Sequence, residues 1–311
     1  MPCCRAAKAT TTAASREGGN GNPPAGDLKA GQVQIKGYAD DYSKKISFYA
    51  TAKKLTIDWG DGTIDDIVPN GNGREFSHEY ENATIFQTIS INTEDLTEIR
   101  FVYNYGDIYE LRFGACPKLK EIGGLANGYL NKLTVFEINR AESLEQLNIY
   151  GTDLAELNLN GCINLKSLNC YWNDKLTSLD VSGCTKLEIL DCSYNRLTSL
   201  DVSKCTNLKT LECYEERQLS SLNASGCTKL EILDCSYNQL TSLDLSKCTN
   251  LTSLFCSNNQ LSATALNSLF TGLPVRTAAD YVWIYCGNNP GSESCNPSIA
   301  ENKGWNVSNN W

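Results

Sequence analysis

Histidine is nearly absent from this chain: His78 is the only one among 311 residues. That removes most Cys/His, Ser/His and two-histidine chemistry at once, and no GxSxG, HExxH or phosphate-loop motif supplies a replacement. The fifteen cysteines contain no CxxC pair, so the usual spacing of zinc ligands is missing too. Basic residues are the minority, 27 Lys and Arg against 36 Asp and Glu, for a net charge of -9. Nucleic acid and anionic membrane surfaces demand basic patches, so neither is an expected partner. A neutral, glycan or basic partner suits the balance better. No run of about 18 apolar residues exists, and no transmembrane segment is expected. The opening stretch MPCCRAAKATTTAASREGGNGNPPAG has no apolar h-region and cannot act as a signal peptide as written; residues 1–31 read as a flexible tail.

What is present is repetition. With 41% hydrophobic residues the chain can bury a sizeable core, and length alone suggests about two domains. CTKLEILDCSYNRLTSLDVSKC at 184–205 returns as CTKLEILDCSYNQLTSLDLSKC at 227–248, differing only at Arg196/Gln239 and Val202/Leu245. Aligned on the leucine that opens each copy, starts fall at Leu96, Leu119, Leu144, Leu165, Leu187, Leu208, Leu230 and Leu251. The best copies follow LxxLxCxxNxLxxLxVSxC. Self-similarity at this period means a solenoid, because one such unit cannot bury its apolar face alone.

Counting from the opening leucine, positions four and six (Leu190, Cys192) alternate with polar neighbours, which reads as a short strand with one face inward. Asn195, Asn238 and Asn259 hold position nine, where an amide can satisfy turn backbone groups that lose ladder partners; Thr152 and Glu216 interrupt that column. In SLDVS and SLDLS, Asp and Ser stand where the chain turns on the far side. Cysteines occupy position six (170, 192, 213, 235, 256) and position nineteen (116, 162, 184, 205, 227, 248), both inward, where a thiol is a small apolar filler. Parallel strands lie ~4.8 Å apart with parallel Cβ vectors, a poor match to the ~3.8 Å Cβ separation a disulfide prefers. The ladders are therefore expected to be free thiols. Cys286 continues one of them in YVWIYCGNN, and Cys295 fits neither.

SATALNSLFTGLP places Leu266, Leu269, Phe270 and Leu273 at helical spacing with Ser262 as N-cap. A short helix and last strand follow, with Trp305 covering the open core end. At the other end, KKLTIDWGDGTIDDIV reads as a hairpin around Gly-Asp-Gly, and FSHEY and IFQTISI add strands. Residues 32–95 are thus a small all-β module, 96–311 the solenoid, and about 262–311 its cap. His78 reads as a structural hydrogen-bonder.

WGDGT at 59–63 with His78-Glu-Tyr80 resembles the PKD-like β-sandwich modules of surface proteins. The LTSLDVSxCTxLxxLxC phrases resemble the leucine-rich repeats of internalin-type and BspA-like surface proteins of Bacteroidetes. Leu269-Phe-Thr-Gly-Leu-Pro274 and Lys303-Gly-Trp305-Asn-Val307 are similar to the closing segment of that group. The resemblance covers residues 32–311 and implies a β-rich leucine-rich-repeat solenoid, its parallel sheet on the concave face, behind a PKD-like module. It further implies a secreted or surface-anchored bacterial protein, commonly a lipoprotein, that binds host or bacterial surface molecules. Cys3 or Cys4 would be the lipid-bearing residue, although no export signal accompanies them.

Function then divides into adhesion or recognition, a structural spacer presenting the N-terminal module, and an enzyme, which the missing motifs disfavour. Outward positions five, seven and eight favour recognition: Tyr150, Tyr171, Trp172, Tyr194, Tyr214 and Tyr237 recur beside Asp191, Glu212 and Asp234. Aromatic faces stack sugars and anchor protein loops. Six neighbouring strands make a face about 25 Å wide, enough for a protein loop region or a short oligosaccharide. These nine residues are the expected ligand-binding set of a monomer that needs no metal or cofactor, with a host or bacterial surface protein or glycan as partner.

Overall fold

The computed structural model describes residues 28–39, 44–68, 71, 73–82, 85–101, 107–124, 130–277 and 281–309. The expected tail, including Cys3 and Cys4, lies almost wholly outside them. Each repeat folds as its alternation dictates, with a strand of only three residues at positions three to five. These are Gln146–Asn148, Ser167–Asn169, Ile189–Asp191, Thr210–Glu212, Ile232–Asp234, Ser253–Phe255 and Trp283–Tyr285, followed by Asn306–Ser308. They pair parallel and in register, so Leu147, Leu168, Leu190, Leu211, Leu233, Leu254, Ile284 and Val307 form one inward column.

That column does not end at the first solenoid copy. Glu98–Phe101 and Glu121–Gly124 continue the parallel run, Lys45–Thr51 joins it antiparallel, and Arg74–Glu79 lies outermost, giving one 12-stranded sheet. A second, six-stranded sheet combines Gln32–Tyr38, Lys54–Asp58, Ile64–Ile67 and Gln87–Glu94 with Asp107–Phe113 and Val135–Ile138. The last two strands come from the return sides of the first two repeats. Asp107–Phe113 pairs antiparallel with Gln32–Tyr38, and Val135–Ile138 pairs parallel with Asp107–Phe113. Backbone ladders and a single buried core run across residue 95, where the module and the solenoid were expected to meet. The physical reason is that a stacked core exposes an apolar end that must be covered.

Within the N-terminal unit the WGDGT turn is structural. Trp59 is fully buried, its indole N–H donates to Asp65 Oδ2 (2.9 Å), and its carbonyl accepts from the Tyr80 hydroxyl (3.0 Å). Gly60 has φ +87°, and a Cβ there would meet the Thr88 carbonyl oxygen at 2.6 Å. His78 stacks on Trp59 with ring centroids 5.1 Å apart and hydrogen-bonds Asp61 through Nε2 (2.7 Å). It is held as a packing and hydrogen-bonding residue, as the sequence suggests.

At the far end the helix Ala263–Gly272 forms with the Ser262 side chain accepting from the Ala265 N–H. Leu266, Leu269 and Phe270 are its buried face. Trp305 is 2% exposed and its indole N–H donates to the Pro274 carbonyl (2.9 Å), which closes the core. The far-side turns close through Asp180, Asp201 and Asp244, whose Oδ1 atoms accept from the N–H of Ser182, Ser203 and Ser246.

All thirteen described cysteines are free, twelve of them buried. Burial pushes every ladder thiol up, Cys116 and Cys162 to about 11 and Cys184 and Cys227 to about 12. Thiol titration of unfolded, non-reduced protein is expected to recover at least these thirteen of the chain's fifteen cysteines, while native protein at about pH 8 leaves the buried twelve unreacted. Recovery of only a few after unfolding would show that the ladders are cross-linked.

Candidate functional site

Strict register turns each repeat position into a column, and the outward columns define the exposed face of the parallel sheet, the face expected to be concave. Position two alternates in charge: Lys120, Glu145, Lys166, Glu188, Lys209 and Glu231 follow one another from copy to copy. Lys166 and Lys209 bind Glu145 and Glu188 of the preceding repeats at 2.7 Å, and Lys120 reaches Glu145 at 3.6 Å. Position five does the opposite. Asp191, Glu212 and Asp234 are register partners on adjacent strands. Among the described residues no lysine or arginine pairs with any of them.

These three acids are half-buried, and two already have work in the backbone. Asp191 Oδ1 accepts from the Ser193 N–H (3.0 Å) and Asp234 Oδ1 from the Ser236 N–H (2.9 Å), as Asn169 does for Tyr171. One carboxylate oxygen of each is thus spent on the turn that follows the strand. Desolvation raises the carboxyls of Asp191 and Asp234 above the usual carboxylate range, and Glu212 is raised by desolvation and by the charges of both neighbours. Stacked like charges without counterions disfavour their own ionisation.

Position eight differs from its sequence-level reading as an outward strand position. It lies beyond the strand, in the left-handed region: Trp172, Tyr194, Glu215, Tyr237, Asn258 and Asn288 all have φ between 56° and 58°, and Gly151 has 65°. The ladder fixes this conformation, since the N–H of Trp172, Tyr194, Glu215 and Tyr237 donates to the carbonyl of Ser193, Tyr214, Ser236 and Ser257 in the following repeat. Gly and Asn are the low-strain occupants of such a site, whereas a Trp or Tyr there costs about 1 kcal/mol or more. The side chains consequently stand at the edge of the sheet's outward face, just beyond the strands. Trp172 is 52% exposed and Tyr237 44%.

The structure gathers four of the expected aromatics into one run. Tyr171 meets Trp172 (6.5 Å) and Tyr194 (5.3 Å), and Tyr194 meets Tyr214 (5.3 Å), all edge to face. Trp172 stands between two rim pockets, of about 460 and 350 Å³, that share Asp174. Tyr150 is half-buried on the preceding strand's turn. Tyr237 is set one repeat beyond the run, where it joins Tyr194 and Tyr214 around a third pocket.

Two features lie outside the expected set. Phe255 and Tyr285 continue the position-five column and stack with centroids 4.8 Å apart and planes 5° apart, and Trp283 stacks on Tyr285 at 5.9 Å. The signal was present in YVWIYCGNN, once Ile284 is placed at position four. The second feature is Glu216. At position nine each asparagine donates from Nδ2 to two carbonyls, as Asn195 does to Cys170 and Cys192, and Asn238 to Cys213 and Cys235. Glu216, 1% exposed, accepts from the Leu197 N–H at 2.7 Å through Oε2, while the Asn195 N–H is near its carboxyl without forming a well-aligned bond to Oε1. A protonated carboxyl has one O–H to donate in place of the amide and an ionised one has none. Desolvation pushes the group up to about 8.

Residues 185–225 and 228–269 match the family model for Leucine Rich repeats, in two copies. This part of the chain is built of leucine-rich repeats. Similar solved structures include the functional domain of InlJ from Listeria monocytogenes, which includes a cysteine ladder. It is 24% identical over 71% of this chain and 50% of its own length, with a TM-score of 0.47. Internalin C2 of the same species is 17% identical over 68% of this chain and 80% of its own, with a TM-score of 0.37. A plant peptide hormone receptor, RGFR1 in complex with RGF2, is 16% identical over 62% of this chain and 47% of its own, with a TM-score of 0.25. The chain thus spans half the length of the InlJ domain it resembles. No curated protein matches it in sequence. Among the described residues, no three His, Cys, Asp or Glu side chains are grouped to hold a metal ion, and no helix is long and apolar enough to cross a membrane.

Glu216→Gln is expected to leave stability unchanged at about pH 4 and to raise it increasingly above. The folded chain keeps a proton that the unfolded chain has released, so native stability falls as pH rises from about 4.5 towards 8 and then levels off. Each pH unit in that window costs the native chain up to about 1.4 kcal/mol. Denaturant midpoints of both proteins across that range test it, and a pH-independent difference would refute a neutral Glu216. Tyr237→Asn, which relieves a left-handed tyrosine, is expected to change stability by between zero and about 1 kcal/mol in the favourable direction. A clear loss in the same assay would show that the ring is a packing residue.

Proposed function

We propose that this chain is a non-catalytic recognition protein of the bacterial cell surface or exterior, which binds a protein or glycan partner on the concave face of its leucine-rich repeats. The observation that carries this reading is the placement of Trp172, Tyr194 and Tyr237 at left-handed rim positions where Gly151, Asn258 and Asn288 serve other repeats without strain. Strain retained in three of four successive copies, with Trp172 and Tyr237 exposed, supports a contact role. The uncompensated acids of position five support it independently, because the same chain alternates charge at position two. The surface location, the PKD-like character of the N-terminal unit and lipidation at Cys3 or Cys4 rest on the resemblance of the sequence motifs alone.

A spacer that presents the N-terminal unit is the second reading, and the continuity of the 12-stranded sheet from one part into the other favours it. A glycan array and a surface-protein pull-down with residues 28–309 separate the two, since a spacer retains nothing on its concave face. With a partner in hand, Trp172→Ala plus Tyr194→Ala is expected to weaken binding at least tenfold, as truncation of central aromatic anchors does. Thr198→Ala plus Ser199→Ala, both exposed on the return side, is expected to leave it unchanged. Equal binding by the two double variants, with folding intact, would move the site off the concave face.

A further inference from the structure

The third pocket, of about 260 Å³, lies where the acidic part of the position-five column gives way to its aromatic part. Asp234 forms part of its lining, with the rings of Tyr194, Tyr214, Tyr237, Phe255 and Tyr285, with Ser236 and Ser257, and with Glu215, whose carboxylate is already paired with Arg217 at 3.0 Å. Such a volume holds one side chain, not an oligosaccharide. Two of its groups lack what their chemistry calls for. Ser257 is 3% exposed and its hydroxyl has no hydrogen-bond partner, although buried hydroxyls are normally satisfied. Asp234 spends Oδ1 on the Ser236 N–H, and no described lysine or arginine balances its charge.

Resting on the concave-face reading, we propose that this pocket receives the guanidinium group of an arginine side chain presented by a polypeptide partner. The requirements of the lining converge on that group. Asp234 calls for a cation, and Ser257 calls for an N–H or O–H donor placed a short distance from it. The rings of Tyr214, Tyr237, Phe255 and Tyr285 call for a flat, weakly hydrated group that tolerates π faces. A guanidinium is planar, always charged, stacks on aromatic rings and carries five N–H donors in a rigid fork, so it reaches a carboxylate and a hydroxyl together. A quaternary ammonium has no donor for Ser257, and a lysine ammonium is a compact, strongly hydrated point charge that stacks less well. The attraction of an incoming cation also offsets the desolvation that raises the Asp234 carboxyl.

The test uses residues 28–309 and small probes in ligand-observed NMR titrations: N-acetyl-arginine amide, N-acetyl-lysine amide, free arginine and tetramethylammonium. N-acetyl-arginine amide is expected to bind with a roughly millimolar Kd, at least about fivefold tighter than the lysine probe. Asp234→Asn keeps an acceptor for the Ser236 N–H, so it retains the turn, and is expected to weaken arginine binding about tenfold. Ser257→Ala is expected to weaken it about threefold. Lysine or tetramethylammonium binding as tightly as the arginine probe would overturn the guanidinium assignment, as would indifference to Asp234→Asn. Tighter binding of free arginine than of the capped amide would make the ligand an amino acid and overturn the polypeptide source. Absence of arginine binding up to about 20 mM would also overturn it. If Trp172→Ala alone, which lies outside this pocket, still weakened partner binding in that case, the sheet-face reading would stand without this pocket.

Discussion

Everything in this molecule depends on the parallel, in-register backbone ladder between successive repeats. Each strand spans only three residues, too short to be stable alone, yet the ladder continues beyond it through the N–H of positions six and eight. Because register never slips from Gln146–Asn148 to Trp283–Tyr285, a residue type at one position becomes a column running the length of the solenoid. Stacking magnifies small choices. A leucine column makes a core, a cysteine column fills the narrow parts of it, and an asparagine column satisfies the backbone where strands end.

The same magnification governs charge. Identical charges at one position would repel along the whole solenoid, and position two avoids this by alternating lysine and glutamate. Those pairs are exposed and worth little as stability; their significance is that the sequence tolerates no long run of one sign there. Position five departs from the rule over three adjacent strands. The departure coincides with bulky aromatics at left-handed positions, with an orphan hydroxyl and with a pocket. These departures from low-energy choices fall on one face of the sheet, which is why the recognition role is proposed there.

The N-terminal unit shows how a solenoid solves its end problem. Its six-stranded sheet accepts strands from the return sides of the first two repeats, and its Lys45–Thr51 strand extends the solenoid's own sheet. The inward column passes from Ile122 through Ile99 to Ala50 without interruption. At the other end Trp305 and the helix Ala263–Gly272 provide closure with side chains instead of a sheet. One end therefore shares its sheet with a second β unit, and the other is sealed by a single large ring and its neighbours.

Period, strand positions, inward cysteines, the asparagine column, the Asp-Ser turns, the helix cap at Ser262 and the structural role of His78 were all legible in the residues. Each follows from local periodicity or from a side chain bonding its own backbone, which neighbours in sequence settle. The concave set was half legible: Tyr171, Trp172, Tyr194 and Tyr214 do come together, but sequence counting placed position eight in the strand when it lies in a left-handed turn. Where the first two repeats send their return strands, how Phe255, Trp283 and Tyr285 stack, and why the Glu216 carboxyl is pushed up were decided only by tertiary structure. Each of those depends on which distant groups share a low-dielectric interior or a sheet edge, and separations of 20 residues or more leave no local trace of that.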